Sequence, residues 1–213
     1  MKEIILIILI VLFSTFSYAD DKERLKKMFN EAPTFSSWLY AVKGLTELKD
    51  KTIIPKVIDK INELKDSKKE EDIDVVEELL GVIAEFKDKS NINFILELMN
   101  NNNLRIKRMC VYVIGEIGDL SNVKDIIDFI HDETNYTLRR EMIYTLGKLG
   151  AKELYPILIK LYPDEDPSVR GNIVLSMYNF KKMNLISQLE EELKYEQNTW
   201  VKEKLEFIIN KLK

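Results

Sequence analysis

Two six-residue stretches of this chain share one pattern of apolar residues and glycines. Residues 113–118 read Val-Ile-Gly-Glu-Ile-Gly, and residues 145–150 read Thr-Leu-Gly-Lys-Leu-Gly, 32 positions later. Each copy ends a run of apolar residues with the spacing of one face of an α-helix. A segment that recurs at a fixed period indicates a repeat protein, in which each unit packs on the next.

A basic residue near the start of each such run extends the same period along the chain. Four basic residues stand 32, 31 and 32 positions apart, and we call them the basic ladder: Lys107, Arg139, Arg170 and Lys202. A second apolar run follows a first one after a short turn, and the five second runs are 53–64, 92–99, 123–130, 154–161 and 185–193. The alternation of first and second runs predicts antiparallel helical hairpins.

A hairpin of two short helices cannot cover its own apolar face, because isolated helices of about ten to thirteen residues are marginal in water. Stacking the hairpins buries these faces between layers. The sequence therefore predicts an all-α fold, an α-solenoid of about five antiparallel helical hairpins with a final unpaired helix over 199–212. Gly118 and Gly150 follow first helices directly, where a C-terminal cap often has a positive φ.

The first two hairpins, at about 35–64 and 74–99, are degenerate. Trp38 and Val76 stand at their ladder positions, and neither hairpin has the repeated glycine. Terminal repeats are expected to depart from the pattern because one side has no neighbour. We therefore predict an N-terminal segment at 20–33, followed by one solenoid over 34–213.

Residues 1–19 have the pattern of a secretory signal peptide. Lys2 precedes ten unbroken apolar residues, Ile4 to Phe13, and Ser17-Tyr18-Ala19 forms a small-x-small exit. The apolar core makes a helix of roughly 15–20 Å, short of a hydrocarbon core of about 30 Å. We expect cleavage after Ala19 and a periplasmic or secreted protein. The alternatives are an uncleaved membrane anchor and a cytosolic chain.

Composition excludes several function classes. The net charge of −4 and the pI near 5.3 argue against a dedicated nucleic-acid binder. A single histidine, His131, and a single cysteine, Cys110, exclude multi-histidine and thiolate metal clusters within the chain. Cys110 lies in an apolar run and is expected to be a buried thiol. No phosphate loop, nucleophile elbow or zinc-protease motif occurs, so we expect no enzymatic activity, cofactor or metal.

These features resemble the HEAT repeat family, in the short bacterial form related to the phycobilisome-lyase-type repeat. The resemblance rests on the basic residue of the first helix, on the glycine pairs in Ile114–Gly118 and Leu146–Gly150, and on a second helix after a short turn. It covers about 104–213 well and 34–99 weakly. It implies a scaffold whose second helices line a concave, partner-binding surface. No residue set for bilin attachment or isomerisation carries over.

Another protein is the expected partner. The outward positions of the second helices are the candidate contacts: Lys124, Asp128, Tyr155, Lys160, Gln188 and Glu191. Contact with a membrane is expected only if residues 1–19 are retained.

The basic ladder allows two interpretations. Its cations form a row that suits a polyanion or an envelope polymer. Alternatively, each cation pairs with an acid in the loop before it or in the adjacent repeat, and the row is structural. The nearest candidate acids are Asp132, Asp164 and Asp166. Asp164 to Asp166 lack the spacing of a calcium loop and are expected to cap a helix.

Overall fold

The computed structural model describes residues 20–118, 123–150, 155–178 and 185–213, and the predicted signal segment lies outside these ranges. Within them the regular structure is helical, without strands. The chain divides into two compact units, Met1–Glu63 and Leu64–Lys213. In the described ranges, no helix combines the length and the apolar character needed to cross a membrane.

Unit 1 contains a helix, α1, over 20–31, where the sequence pattern predicts no element. Its apolar side chains Leu25 and Phe29 are buried. Leu25 packs so closely on the next helix that a Cβ added at Gly44 would lie 2.8 Å from its Cδ1 atom. The remaining helices of the unit are α2 (Phe35–Glu47), with the capping box of Thr34 and Ser37, and α3 (Ile54–Leu64). The pattern misses α1 because only three of its residues are apolar.

Asp50 connects α1 to the turn before α3. Its carboxylate lies 3.1 Å from the Nζ atom of Lys22 and 3.5 Å from that of Lys26. The Thr52 hydroxyl donates to the same side chain over 2.7 Å. Burial opposes ionisation, but the hydrogen bonds from Thr52 and the ammonium of Lys22 hold the pKa of Asp50 far below its usual range.

Unit 2 is built from alternating first and second helices. The first helices are α4 (Glu70–Phe86), α6 (Leu104–Ile117), α8 (Tyr136–Leu149), α10 (Pro167–Tyr178) and α12 (Thr199–Leu212). The second helices are α5 (Ile92–Leu98), α7 (Val123–Asp132), α9 (Tyr155–Leu161) and α11 (Leu185–Tyr195). The bounds of the second helices agree with the predicted runs to within two residues.

The first helices pack in chain order, α4 on α6, α6 on α8, α8 on α10 and α10 on α12. Each second helix packs on the first helix that follows it. The side chain of Cys110 is fully buried in α6, and burial raises its pKa to about 12, so the prediction of a buried thiol is confirmed. This stacking of helix pairs confirms the predicted α-solenoid.

The two glycines of each repeated stretch have different roles. Gly118 and Gly150 have φ values of 68° and 67°, which confirms the predicted left-handed caps. Gly147 instead allows close approach of α8 and α10, because an added Cβ would lie 2.5 Å from the Cβ atom of Ser176. At Gly115 the corresponding distance, to the Cγ2 atom of Thr145, is 3.3 Å.

We expect Gly147→Ala to lower the free energy of unfolding by about 1–3 kcal/mol, because the new methyl group forces α8 and α10 apart. Gly81→Ala is the matched control. Its Cβ would meet nothing within 4 Å, so the higher helix propensity of alanine should stabilise the protein by about 0.5–1 kcal/mol. Urea unfolding, monitored by circular dichroism, measures the free energy of unfolding of both variants. Equal shifts in the same direction would contradict the close approach.

Candidate interaction surfaces

The loops before four first helices share one hydrogen-bonding pattern. Each helix is capped by a side chain that accepts a backbone N–H bond from its first turn, and the caps are Asn103, Asn135, Asp166 and Asn198. A second side chain, two residues before each cap, accepts a hydrogen bond from the backbone N–H of the cap residue. These acceptors lie 2.7–2.8 Å away and are Asn101, Glu133, Asp164 and Glu196. The pattern fixes where each acceptor lies in its loop.

The basic ladder is bound to these acceptors. Each of its first three members reaches the carboxylate in the loop before the next first helix, 25 or 26 residues later in the chain. The three ion pairs are Lys107–Glu133 at 3.1 Å, Arg139–Asp164 at 2.9 Å and Arg170–Glu196 at 2.8 Å. In the described part of the chain, Lys202 has no carboxylate within salt-bridge distance.

The two arginines also hold the loop that precedes their own helix. Arg139 donates to the carbonyl oxygens of Glu133 and Thr134 over 3.1 and 3.0 Å. Arg170 does the same with the carbonyls of Asp164 and Glu165. Each guanidinium therefore joins two successive loops, and we call this arrangement the loop clamp.

The degenerate repeat shows why the acceptors are acidic. Val76 of α4 stands at the ladder position and brings no charge to the next loop. The acceptor of that loop is the neutral Asn101, whose amide donates to the carbonyl oxygen of Lys65 over 2.8 Å. A carboxylate stands where a ladder cation reaches the loop, and an amide stands where none does.

Glu196 is the most buried acceptor. Its side chain is 2% exposed. Both Arg170 and the Tyr162 hydroxyl donate hydrogen bonds to it, the latter over 2.9 Å. The hydrogen bond from the guanidinium of Arg170 lowers the pKa of Glu196 from 4.5 to about 2. Burial acts in the opposite direction, and the hydrogen bond from the backbone N–H of Asn198 adds to the lowering. Burial and the neighbouring Glu196 raise the pKa of Tyr162.

Of the three acids predicted to pair with the ladder, only Asp164 forms such an ion pair in the described residues. Asp166 caps α10, as expected for this segment, and Asp132 ends α7. The sequence prediction missed Glu133 and Glu196 as partners. Both stand six residues before a ladder cation, so the same period contained the signal for them.

The second-helix surface carries the predicted partner contacts. The side chains of Lys124 and Asp128 on α7, Lys160 on α9, and Gln188 and Glu191 on α11 are exposed. Tyr155 begins α9, and its side chain is outside the described set. Lys160 also borders a polar cavity of about 480 Å³ at the ends of α7 and α9. The predicted residues therefore lie on three second helices of one unit.

The first-helix surface carries a row that the sequence reasoning missed. One exposed apolar side chain stands five residues after each ladder cation, and we call this row the apolar spine: Tyr112, Tyr144, Leu175 and Phe207. A cavity of about 420 Å³ lies between α6 and α8 beside the two tyrosines. Arg108 bonds Glu141 across it at 2.8 Å, and Lys148 bonds Glu116.

The described residues contain no group of three or more His, Cys, Asp or Glu side chains that could hold a metal ion. In the acidic loop Asp164 to Asp166, Asp164 is bonded to Arg139 as part of the loop clamp, and Asp166 caps the first turn of α10.

Comparisons with known proteins agree with this architecture. A family model described as HEAT repeats matches residues 123–207, from α7 into α12. The deoxyhypusine hydroxylase of Schizosaccharomyces pombe (strain 972 / ATCC 24843) is 26% identical over 117 residues, which are 54% of this chain and 36% of that protein. The match thus spans little more than a third of the length of this curated relative.

Two solved structures share the fold at low sequence identity. A structure titled as an engineered protein of the Northeast Structural Genomics Consortium has a TM-score of 0.52 and 14% identity, over 90% of this chain and 96% of that one. A designed armadillo repeat protein in complex with the peptide (KR)4 has a TM-score of 0.50 and 15% identity, over 90% and 99%. The chain is thus similar to HEAT and armadillo repeat proteins.

We expect Glu196→Gln to lower the free energy of unfolding by about 3 kcal/mol at neutral pH, because Arg170 loses its buried counter-charge. The wild-type contribution of Glu196 is complete above its ordinary pKa of 4.5 and is lost as the pH falls from there to about 2. The difference between wild type and variant should therefore narrow with acidification. Urea unfolding at several pH values measures it.

Glu190→Gln is the control for this experiment. Glu190 forms an ion pair with Lys213 at 2.8 Å, but the two side chains are 45% and 56% exposed. Its removal should cost less than about 1 kcal/mol. A Glu196→Gln effect as small as the control, or one that does not depend on pH, would contradict the loop clamp.

Proposed function

We propose that this chain is a non-enzymatic scaffold that binds another protein along a concave surface formed by its second helices. The exposed polar side chains on α7, α9 and α11 carry this proposal, because these helices pack their apolar sides on first helices and leave one side for a partner. The match to HEAT repeats covers the same region. Repeat proteins of this kind use extended surfaces for binding.

Three of the proposed contacts have no ion pair with any residue of the described ranges: Lys124, Asp128 and Lys160. Exposed charges of this kind can pair with opposite charges on a partner protein. Across a standard interface of about 800 Å² per side, such charges contribute orientation and association rate.

The alternative, a polyanion-binding module built on the basic ladder, has less support. Lys107, Arg139 and Arg170 are bonded to carboxylates, and the side chains of the two arginines are 9% and 15% exposed. A polyanion would have to displace these internal partners. The ladder therefore serves better as a structural element than as a ligand site.

An enzymatic role like that named for the hydroxylase of Schizosaccharomyces pombe also has less support. The match covers 36% of that protein. This chain has one histidine and one cysteine, and within the described residues no cluster of potential metal ligands is formed. A shared helical repeat is sufficient for a similarity of this extent.

We further propose that the protein is exported to the periplasm or secreted, and that its repeats are of the short bacterial type related to phycobilisome-lyase HEAT repeats. The signal pattern of residues 1–19 supports export, and the 31–32-residue period supports the repeat type.

Charge reversal on the second-helix surface tests the binding proposal. Lys124→Glu combined with Lys160→Glu should reduce recovery of the partner in affinity purification from the host at least about tenfold, because like charges then meet across the interface. Lys27→Glu combined with Lys68→Glu is the matched control, since both lysines are exposed and the net charge changes equally. Circular dichroism should be unchanged in both. Equal recovery with the two pairs would contradict the second-helix surface.

The intact mass of the protein recovered from its host tests export. Cleavage after Ala19 leaves 194 residues. A mass that includes residues 1–19 would contradict cleavage, and recovery from the cytosolic fraction alone would contradict export.

A further inference from the structure

The apolar spine is a continuous feature of one set of packed helices. Tyr112, Tyr144, Leu175 and Phe207 are 50%, 63%, 37% and 51% exposed. Because α6, α8, α10 and α12 pack side by side, equivalent positions on them form a row with steps of about 8–10 Å. Isolated exposed apolar residues are normal, but an aligned row marks a binding surface.

The spine stops at α6. The equivalent position of α4 is Gly81, which has no side chain and open space around it. α4 also carries seven carboxylates and no lysine or arginine. The surface therefore extends over four helices, roughly 25–30 Å in total.

The cavity between α6 and α8 gives this surface depth. It is about 420 Å³, and Met109, Tyr112, Gly115, Tyr144 and Thr145 are among its lining residues. Gly115 lines the cavity without a side chain, and a Cβ added there would lie 3.3 Å from the Cγ2 atom of Thr145. A space of this kind accepts an apolar side chain of a partner, which would be buried against two aromatic rings.

In the two ion pairs beside the tyrosines, the cation is more exposed than the carboxylate. Arg108 and Lys148 are 52% and 45% exposed, whereas their partners Glu141 and Glu116 are 27% and 18% exposed. The cations therefore project beyond the carboxylates that pair with them.

The same charge continues on α12. The Nζ atoms of Lys204 and Lys211 lie 5.5 and 5.7 Å from the ring centroids of Trp200 and Phe207. Neither lysine forms an ion pair within the ranges that the structure describes.

We propose that the apolar spine and its projecting cations bind an acidic amphipathic helix of a partner protein. Apolar residues seven positions apart in a helix are about 10.5 Å apart, close to the step of the spine, and about 16–20 residues span it. An anionic membrane fits less well, because a flat surface on these helices would also meet the carboxylates of α4. This site is separate from the second-helix surface and goes beyond the scaffold role proposed above.

A designed peptide tests the site. The probe is a fluorescein-labelled helix of about 21 residues with leucine at the a and d positions of its heptads and mostly glutamate elsewhere. We expect it to bind the full chain, measured by fluorescence anisotropy. Tyr112→Ser combined with Tyr144→Ser should weaken binding at least about tenfold. Tyr40→Ser combined with Tyr195→Ser, at tyrosines that are 60% and 71% exposed, should not.

Further variants test the charges and separate this site from the second-helix surface. Lys148→Glu combined with Lys211→Glu should also weaken binding at least about tenfold. A probe with lysine in place of glutamate should bind less tightly than the acidic one. The pair Lys124→Glu and Lys160→Glu should leave probe binding unchanged, whatever it does to the partner of the second helices.

Three results would overturn the proposal. They are absence of binding by the acidic probe, equal loss in the two tyrosine pairs, and equal binding of the lysine probe. If the acidic probe does not bind and the protein co-sediments with phosphatidylglycerol vesicles, the surface binds an anionic membrane instead.

Discussion

A buried charge has to meet its counter-charge, and this requirement couples the successive helix pairs of unit 2 that carry the two ladder arginines. Arg139 and Arg170 lie near the start of their helices, where the helix dipole disfavours a cation, and both are largely buried. An unpaired charge there would cost several kcal/mol. Each guanidinium therefore needs the next loop within about 3 Å, and the caps hold the acceptor of that loop in place. One residue thus couples two successive helix pairs.

The coupling leaves two surfaces with different properties. Three ladder side chains, Lys107, Arg139 and Arg170, bond to carboxylates of the loops, so a ligand would have to displace these internal partners. The second helices expose polar and charged residues such as Lys124 and Lys160, whereas the first helices expose the apolar spine and projecting cations. The two proposed binding sites therefore differ in chemistry.

Periodicity predicted most of this architecture from the sequence. The second helices, the left-handed glycines and the burial of Cys110 followed from spacing and apolar runs, because these depend on local backbone geometry and on burial alone. The pairing of the ladder cations with Glu133 and Glu196 was not predicted. Asp132 and Asp166 were preferred as partners because they stand close to ladder cations in the sequence, whereas the fold brings together residues 25 or 26 positions apart. The sequence pattern did not predict α1 because the helix has only three apolar residues. It did not predict the apolar spine because, in a sequence, exposed aromatic residues have the same spacing as core residues.

The most direct test of the account is native-state hydrogen exchange, measured by mass spectrometry on Arg139→Gln. We expect faster exchange in both loops that Arg139 joins, 133–135 and 163–166, and in the first turns of α8 and α10 that those loops cap. Exchange in α1 to α3 should not change. An effect confined to the neighbourhood of residue 139 in α8, with residues 163–166 as protected as in the wild type, would contradict the coupling of successive repeats.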